Sequence, residues 1–272
     1  MLRERLELSG GFALRAAPAA EFQELALAHD PDYVGSIVDG SVDPRVMRRI
    51  GFPWSPELVR RSLASVGGTL AAAREALQNG VGGNLAGGTH HAFRAEGSGF
   101  CVFNDLAVTI YTLRRKGLAA RAAVLDLDVH QGDGTASIFA GDPDVLTISV
   151  HGQNNFPFRK QESGIDVGLA DGTGDEEYLA ALESVLPAMW DFAPDLLLYQ
   201  SGVDALAEDR LGRLAMTHAG LVQRDRMVFE GAQRHSVPVA ITLGGGYGEP
   251  VEATVDAHFH TFLTAGLVWG SA

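Results

Sequence analysis

The sequence has little cysteine and little lysine, and it has no long hydrophobic run. Cys101 is the only cysteine among 272 residues. A single cysteine excludes an intramolecular disulfide, a four-cysteine zinc site and an iron–sulfur cluster held by several cysteines. No apolar stretch reaches the ~18 residues of a transmembrane helix, and the N-terminus lacks the apolar region of a secretory signal. The expected location is therefore cytoplasmic.

The charge balance limits the kinds of partner. The chain carries 34 acidic and 21 basic side chains, for a net charge of −13. Phosphate backbones and anionic membrane surfaces would repel such a protein, so we expect neither nucleic acid nor membrane as a partner. Lys116 and Lys160 are the only lysines. With the abundant Arg, Ala and Gly, this composition is typical of a GC-rich bacterial genome. The nine histidines keep a His/Asp metal site open.

The hydrophobic pattern predicts an α/β protein. Amphipathic helices alternate with short, nearly continuous apolar runs, which are typical of buried parallel strands. The predicted helices are Ser55–Gly80, Asp105–Lys116, Glu176–Trp190, Thr217–His235 and Glu252–Leu263. The predicted strands are Ala122–Leu127, Val145–Val150, Asp195–Tyr199 and Val237–Leu243. We interpret residues 1–272 as a single three-layer α/β/α domain around a mainly parallel sheet, in which ligands bind beyond the carboxyl ends of the strands.

Acidic residues and a histidine follow the first of these strands. Asp126, Asp128 and His130 alternate along the chain, so an extended backbone would point them to one side. Buried carboxylates at a strand end need a cation or hydrogen-bond donors. Asp128 and His130 have a spacing that suits one metal ion. A solvated strand end is the simpler interpretation of a lone Asp-x-His, but the longer motif through Asp133 favours metal binding.

A third ligand follows a neighbouring strand. Asp204 comes after Gln200–Val203, where it could reach the same metal as Asp128 and His130. Three protein ligands with one open position are typical of a catalytic zinc site. Taken alone, Asp204 fits a helix N-cap equally well.

Two further loops carry polar side chains that could serve chemistry. His90 and His91 follow a glycine-rich turn, and adjacent side chains rarely bind one metal. They could instead lie above a metal-bound water, each oriented by a carboxylate, with Asp126 and Asp133 available. A pair of surface histidines fits that segment alone equally well. Tyr247 follows three glycines and could present a hydroxyl donor. His29, His218 and His235 are expected to be solvated or capping.

These motifs together resemble the zinc-dependent histone deacetylase superfamily. Five signatures stand in the family's order, and with the intervening helices they cover roughly Gly51 to the C-terminus. They are Gly-Gly-Thr-His90-His91, Gly-Phe100-Cys-Val-Phe-Asn104-Asp, Asp126-Leu-Asp128-Val-His130-Gln-Gly-Asp133-Gly, Gly-Val-Asp204 and Gly-Gly-Gly-Tyr247. The resemblance implies the arginase–deacetylase fold.

The resemblance also implies roles for individual residues. It implies zinc on Asp128, His130 and Asp204, and a Tyr247 hydroxyl that stabilises the oxyanion. It pairs His90 with Asp126 and His91 with Asp133, with His91 as the base. A narrow acyl-lysine channel would be walled by Gly99, Phe100 and Phe156. A structural potassium ion would be bound partly by main-chain carbonyls near Asp126, Asp128, His130, Ser149 and Val150.

The sequence also shows which branch it resembles and where it departs from the family. Two features resemble class IV enzymes and their bacterial relatives. One is Gln131, and the other is Glu208-Asp209-Arg210-Leu211-Gly212 followed by Ala219-Gly220 and Arg224-Asp225. The first residues resemble the family's first helix, so the family's first strand and its loop would be absent. The stretch Gly51–Ser55 offers no acidic residue of the kind that grips a substrate backbone in class I enzymes.

The resulting hypothesis is a zinc-dependent amidohydrolase. It would remove an acetyl or longer fatty acyl group from the Nε of lysine, in a peptide or protein, or from a related small amine. Two alternatives remain. A dinuclear manganese ureohydrolase would need further carboxylates at Gly132 and Leu206, which have none. A binding module that reads acylated ligands without turnover would not need the intact set of His90, His91 and Tyr247.

Overall fold

The computed structural model describes residues 1–270 and contains one six-stranded sheet with helices packed on both faces. The strands are Val81–Gly83 (β1), Ala122–Asp126 (β2), Val145–Gly152 (β3), Ile165–Leu169 (β4), Leu196–Gln200 (β5) and Val239–Thr242 (β6). The helices are Leu2–Ser9 (α1), Phe22–Ala28 (α2), Pro31–Asp39 (α3), Pro44–Ile50 (α4), Pro56–Asn79 (α5), Asp105–Arg115 (α6), Asp133–Ile138 (α7), Asp175–Phe192 (α8), His218–His235 (α9) and Val251–Val268 (α10).

The strand order is β1-β6-β5-β2-β3-β4, and every pairing between neighbours is parallel. Neighbouring side chains along β2 enter different cores. Ala123 and Leu125 pack in one apolar cluster with residues of α8, α9 and α10. Ala122 and Val124 pack in a second cluster with residues of α3, α5 and α6. The three-layer α/β/α architecture predicted from the sequence is therefore confirmed.

Sequence and structure differ at the two edges of the sheet and in helices α2, α3, α4 and α7, which the sequence did not predict. The four predicted strands and five predicted helices are present, with shifted ends; α10 runs five residues beyond the predicted Leu263. The sequence did not predict β1 or β4. Two of the three β1 residues are glycines, which have low strand propensity. β4 alternates half-buried and exposed residues because it lies at an edge, so it has no continuous apolar run. None of the helices within residues 1–270 is long and apolar enough to cross a membrane.

Helices α5 and α6 begin at side-chain caps. Ser55 accepts a hydrogen bond from the Leu58 N–H at 3.0 Å, and Pro56 occupies the first turn of α5. Asn104 caps α6 by accepting from the Ala107 N–H at 2.9 Å. These caps satisfy backbone donors that have no partner within the helix. The Asn104 side-chain amide also donates to the Ala92 carbonyl oxygen at 3.1 Å, which ties this cap to the segment that carries His90 and His91.

His29 is the C-cap residue of α2, so a capping role is confirmed for it, but its side chain is buried rather than solvated. Its Nδ1 lies 3.0 Å from the Phe93 carbonyl oxygen, and its Nε2 accepts from the Asn104 N–H at 2.9 Å. Accepting at Nε2 requires a neutral ring with the proton on Nδ1. Burial lowers the pKa of His29 from 6.5 to about 4.

The buried His29 should make the protein less stable in acid. Because its folded-state pKa lies below 6.5, the unfolded chain takes up a proton first as pH falls. The stability contributed by neutral His29 is therefore present above pH ~6.5 and is lost toward pH ~4, by up to about 3 kcal/mol. Urea unfolding of wild type and His29→Gln at pH 7 and pH 5 measures this. A pH dependence that is equal in both proteins would contradict it.

Candidate active site

Three potential metal ligands converge beyond the carboxyl ends of the adjacent strands β2 and β5. One ligand atom from each of Asp128, His130 and Asp204 lies within 4.8 Å of the others. Nδ1 of His130 is 3.0 Å from Asp128 Oδ1 and 3.1 Å from Asp204 Oδ2. Both carboxylates are fully buried, whereas His130 is slightly exposed. Within residues 1–270 this is the only such cluster of three or more His, Cys, Asp or Glu side chains.

The electrostatics of this cluster call for a cation. Burial and the charge of Asp128 raise the pKa of Asp204 to about 7. Burial disfavours the charged form of His130, but the two carboxylates outweigh it and raise the pKa of His130 to about 11. The two carboxylates therefore favour a positive charge in the space between them and His130 Nδ1. A divalent cation fits there, because two carboxylate oxygens and one imidazole nitrogen are ordinary ligands for such an ion.

Backbone amides fix the orientation of the two carboxylates. The Gly245 N–H donates to Asp128 Oδ2 at 2.6 Å, and the Val129 N–H donates to Asp204 Oδ1 at 2.8 Å. Each carboxylate thus directs one oxygen toward His130 Nδ1 and binds a backbone N–H with the other, and Asp128 Oδ1 also accepts from the His130 N–H at 2.9 Å. Gly202 and Gly245 permit this packing, because a Cβ at either position would overlap Asp128 or Asp204.

Adding a methyl group at Gly245 should therefore weaken metal binding. A Cβ there would overlap Asp204 Oδ2 and lie 2.9 Å from Asp128 Oδ2. We expect Gly245→Ala to lower metal affinity by ~10–100-fold, the range for changes that disturb ligand orientation. Competition with a chromophoric chelator measures the affinity. Gly35→Ala is the matched control, because a Cβ at Gly35 has nothing within 4 Å. Equal affinities for both variants would contradict the prediction.

Two His–Asp pairs lie beside the cluster. His90 Nδ1 is 2.6 Å from Asp126 Oδ2, and His91 Nδ1 is 2.7 Å from Asp133 Oδ1. The rings of His90 and His91 lie 4.0 Å apart, and His91 is 6.1 Å from the ring of His130. All four paired side chains are buried. The pairing expected from the sequence is thus the arrangement that the structure has.

The two histidines differ in protonation. Burial lowers the pKa of His90, but the negative charges of Asp126 and Asp128 outweigh it and raise that pKa to about 9. Burial and the neighbouring charge of His90 lower the pKa of His91 to about 4. At neutral pH His91 is therefore an uncharged imidazole. Its Nδ1 proton points to Asp133, which leaves Nε2 able to accept a proton.

Aromatic side chains lie beside His91 and Tyr247. The Phe156 ring meets His91 edge-on at 4.9 Å between centroids, and the Phe100 ring lies 6.4 Å from that of Tyr247. Gly99 lies between these walls: a Cβ there would approach His91 Cδ2 to 2.6 Å. Burial and the charges of Asp128 and Asp204 raise the pKa of Tyr247 to about 12, so its hydroxyl stays protonated.

Sequence reasoning assigned no role to Asp105 and Gln200. The fully buried Asp105 carboxylate accepts from the Gly88 N–H at 2.9 Å and the Thr89 N–H at 2.7 Å, which anchors the turn before His90. The Gln200 side-chain amide lies 2.7 Å from His90 Nδ1. Asp105 directly follows Asn104 in the sequence, but this position does not reveal that its carboxylate binds the Gly88 N–H.

The residues that suggested a class IV relationship have structural partners. Gln131 Nε2 donates to Asp166 Oδ1 and to the Gln161 carbonyl oxygen, each at 2.7 Å, so its amide ties down a neighbouring loop. Arg224 is completely buried. Its Nη1 donates to the Gly202 carbonyl oxygen at 2.6 Å, and its Nε donates to Asp225 at 2.9 Å. Arg224 thus supports the backbone that leads to Asp204.

The positions at which a second metal would need ligands offer none. Leu206 is buried in the apolar core, and a Cβ at Gly132 would overlap Asp126. The ureohydrolase alternative thus has no ligands for its second ion at these two positions.

Comparisons with known proteins agree with this geometry. The histone deacetylase domain family matches residues 1–262. The chain is 48% identical over 235 residues to an uncharacterized protein of Picosynechococcus sp., covering 86% of this chain and 78% of that protein. It is 32% identical over 274 residues to a histone deacetylase-like amidohydrolase of Pseudomonas aeruginosa, covering 91% and 70% of the two chains.

A solved structure shows the same fold. The crystal structure of a histone deacetylase homologue from Aquifex aeolicus matches with a TM-score of 0.80 and 29% identity, covering 92% of this chain and 72% of that one. The family match and the amidohydrolase relative indicate a hydrolase of the deacetylase type, and the site geometry offers three ligands for a metal ion. The chain belongs to the histone deacetylase family.

Proposed function

We propose that this protein is a zinc-dependent deacylase that hydrolyses the amide of an Nε-acyl-lysine or a related acylated amine. The observation that carries the proposal is the pair of buried His–Asp contacts beside Asp128, His130 and Asp204. A single metal with three protein ligands and an open position is the arrangement of catalytic zinc sites. Zinc held there supplies Lewis acidity, which polarises a carbonyl and makes water more acidic.

We assign proton transfer and charge stabilisation to His90, His91 and Tyr247. His91 Nε2 takes a proton from the attacking water and later gives it to the leaving amine, as a general base and then a general acid. Asp133 keeps the second His91 proton on Nδ1. His90, held by Asp126, stabilises negative charge in the transition state. The Tyr247 hydroxyl donates a hydrogen bond to the oxygen that becomes negative during attack.

The aromatic side chains beside His91 and Tyr247 support an acylated amine as the bound group. Phe100 and Phe156 offer apolar walls for the methylene stem of a lysine or a polyamine, and the net charge of −13 suits a cationic amine product. We propose acetyl and longer fatty acyl groups as candidate substrates, because Gln131, Arg224 and Asp225 resemble the class IV branch, for which long acyl groups are an option. A cytoplasmic location is part of the same proposal.

A structural potassium ion is a further part of the proposal. The candidate ligands lie at the end of β2, just after it and on the neighbouring strand β3, where Ser149 is the register partner of Asp126. Main-chain carbonyls of Asp126, Asp128, His130 and Val150 with Ser149 would form an oxygen-rich site, which suits a hard monovalent cation better than zinc.

Amine release tests the proposal. Purified protein is incubated with acetyl-lysine peptide, long-chain acyl-lysine peptide or an acetylated polyamine, before and after chelation and after zinc or manganese is restored. We expect release that stops on chelation and returns with zinc at one ion per chain. Binding of the acylated peptide without release would identify the binding-module alternative. Two manganese ions per chain would identify the ureohydrolase alternative.

A further inference from the structure

Two loops meet beside the opening of the site. The Asp204 loop, residues 204–212, begins at a potential metal ligand, and the Tyr247 loop, residues 244–249, contains the tyrosine. Asp209 and Gly248 form an isolated antiparallel bridge. The Arg210 N–H donates to the Tyr247 carbonyl oxygen at 3.4 Å. The backbones of the two loops are therefore joined directly at Tyr247.

The Asp209 carboxylate strengthens this junction. Its Oδ1 accepts from the Leu211 N–H and the Gly212 N–H, each at 2.8 Å. Its Oδ2 accepts from the Tyr247 N–H at 2.6 Å. The first two bonds orient the carboxylate within its own loop, so the second oxygen is aimed at Tyr247. Hydrogen bonds to a charged acceptor are stronger than those between neutral groups.

The Tyr247 loop is held on either side of the tyrosine, where the Gly245 N–H donates to Asp128 Oδ2 at 2.6 Å and the Gly248 N–H donates to Thr254 Oγ1 at 2.9 Å. Between these contacts, the partner of the Tyr247 N–H is the Asp209 carboxylate. Three glycines precede Tyr247, and Gly244 has a φ of 69°, so the backbone there has wide conformational freedom. The Tyr247 side chain is 42% exposed, which means that burial does not fix its direction. The backbone position of Tyr247 therefore decides where its ring points.

The anchor is also tied to the metal-binding end of the site. A Cβ at Gly212 would overlap the carbonyl oxygen of Asp204, so the two ends of the Asp204 loop touch. Asp209 lies on this closed loop. Asp204 is thus connected to the Tyr247 N–H through two contacts: Gly212 packs against the Asp204 carbonyl oxygen, and Asp209 bonds to both the Gly212 N–H and the Tyr247 N–H.

We propose that Asp209 is a positioning residue, whose carboxylate holds the Tyr247 backbone so that the hydroxyl faces the reacting carbonyl. This inference rests on the proposed role of Tyr247 as the oxyanion donor. Asp209 itself contacts no reacting atom. Its removal should therefore act through Tyr247 alone, leaving metal binding and ground-state substrate binding in place.

The test replaces the acceptor with an amide of the same shape. In Asp209→Asn, an NH₂ group must face either the Tyr247 N–H or the amides of Leu211 and Gly212, so one set of bonds is lost. We expect kcat to fall about tenfold with KM changed less than about twofold, because the lost interaction belongs to the transition state. Asp195→Asn is the matched control: its Oδ2 also accepts from two backbone amides, those of Ala120 and Arg121.

A double-mutant cycle and amide exchange separate positioning from general damage. In a Tyr247→Phe background, Asp209→Asn should change kcat less than about twofold, since the group it positions is gone. Deuterium exchange at the Tyr247 amide should be faster in Asp209→Asn than in wild type or Asp195→Asn. Equal losses of kcat in both backgrounds, or unchanged exchange, would overturn the inference. If wild type hydrolyses no acylated amine, the proposed function fails, and the exchange result alone decides whether Asp209 anchors the loop.

Discussion

Replacing His91 by asparagine is expected to lower kcat by ~10²–10⁴-fold, the usual contribution of a general base. His91 is uncharged at neutral pH because burial and His90 lower its pKa to about 4, and Asp133 holds its Nδ1 proton. Asparagine can fill part of the space but cannot move a proton at that point. The loss should appear in kcat and in kcat/KM alike, since proton transfer belongs to the transition state.

Zinc content and a second histidine variant complete that experiment. His91 is not among the three potential ligands, so His91→Asn should retain zinc as wild type does. His235→Asn is the control, because that exposed ring stacks on Trp190 at 5.0 Å, on the surface of α9. A zinc-loaded His91→Asn protein with wild-type turnover would assign the base to another group.

Tyr247→Phe is expected to lower kcat by ~10²–10³-fold while zinc content and thermal stability stay unchanged. The substitution removes one hydroxyl and keeps the ring that faces Phe100. The raised pKa of Tyr247, about 12, keeps its hydroxyl protonated, so it can donate across the neutral pH range. The effect on KM should be small, because the donated bond becomes strong only as the carbonyl oxygen gains charge.

The control for this experiment is Tyr111→Phe. The Tyr111 hydroxyl donates at 3.5 Å to the carbonyl oxygen of Ile138, the last residue of α7. Tyr111→Phe removes the same hydroxyl group from a tyrosine that lies outside the candidate site. If Tyr247→Phe turns over substrate as fast as Tyr111→Phe, Tyr247 is not the oxyanion donor.

Much of the site could be predicted because parallel strands end at one edge. Asp128, His130 and Asp204 follow buried apolar runs, and those runs became the adjacent strands β2 and β5. The position of each ligand along the chain was therefore enough to bring them together. His90 and His91 needed the resemblance as well, since a loop has no periodic pattern that fixes its direction.

The residues that sequence reasoning missed act over long distances along the chain. Gln200 reaches His90 across 110 positions, and His29 reaches Asn104 across 75. Nothing local distinguishes a buried histidine such as His29 from a solvated one, because its neighbours in the sequence are ordinary helix-end residues. The short strand β1 was not predicted for a different reason. Its two glycines have low strand propensity, and its pairing with β6 stabilises it instead.

The buried Arg224–Asp225 pair has a consequence for how this sequence can change over generations. Arg224 also supports the Gly202 carbonyl, and Asp225 accepts hydrogen bonds from Tyr199 and Thr261. Loss of either charge alone leaves the other buried without its partner, at a cost of about 3–5 kcal/mol. A lineage that replaces the pair must pass through such an intermediate or change both codons together. The two positions should therefore be inherited as one unit, more faithfully than their distance from the chemistry would suggest.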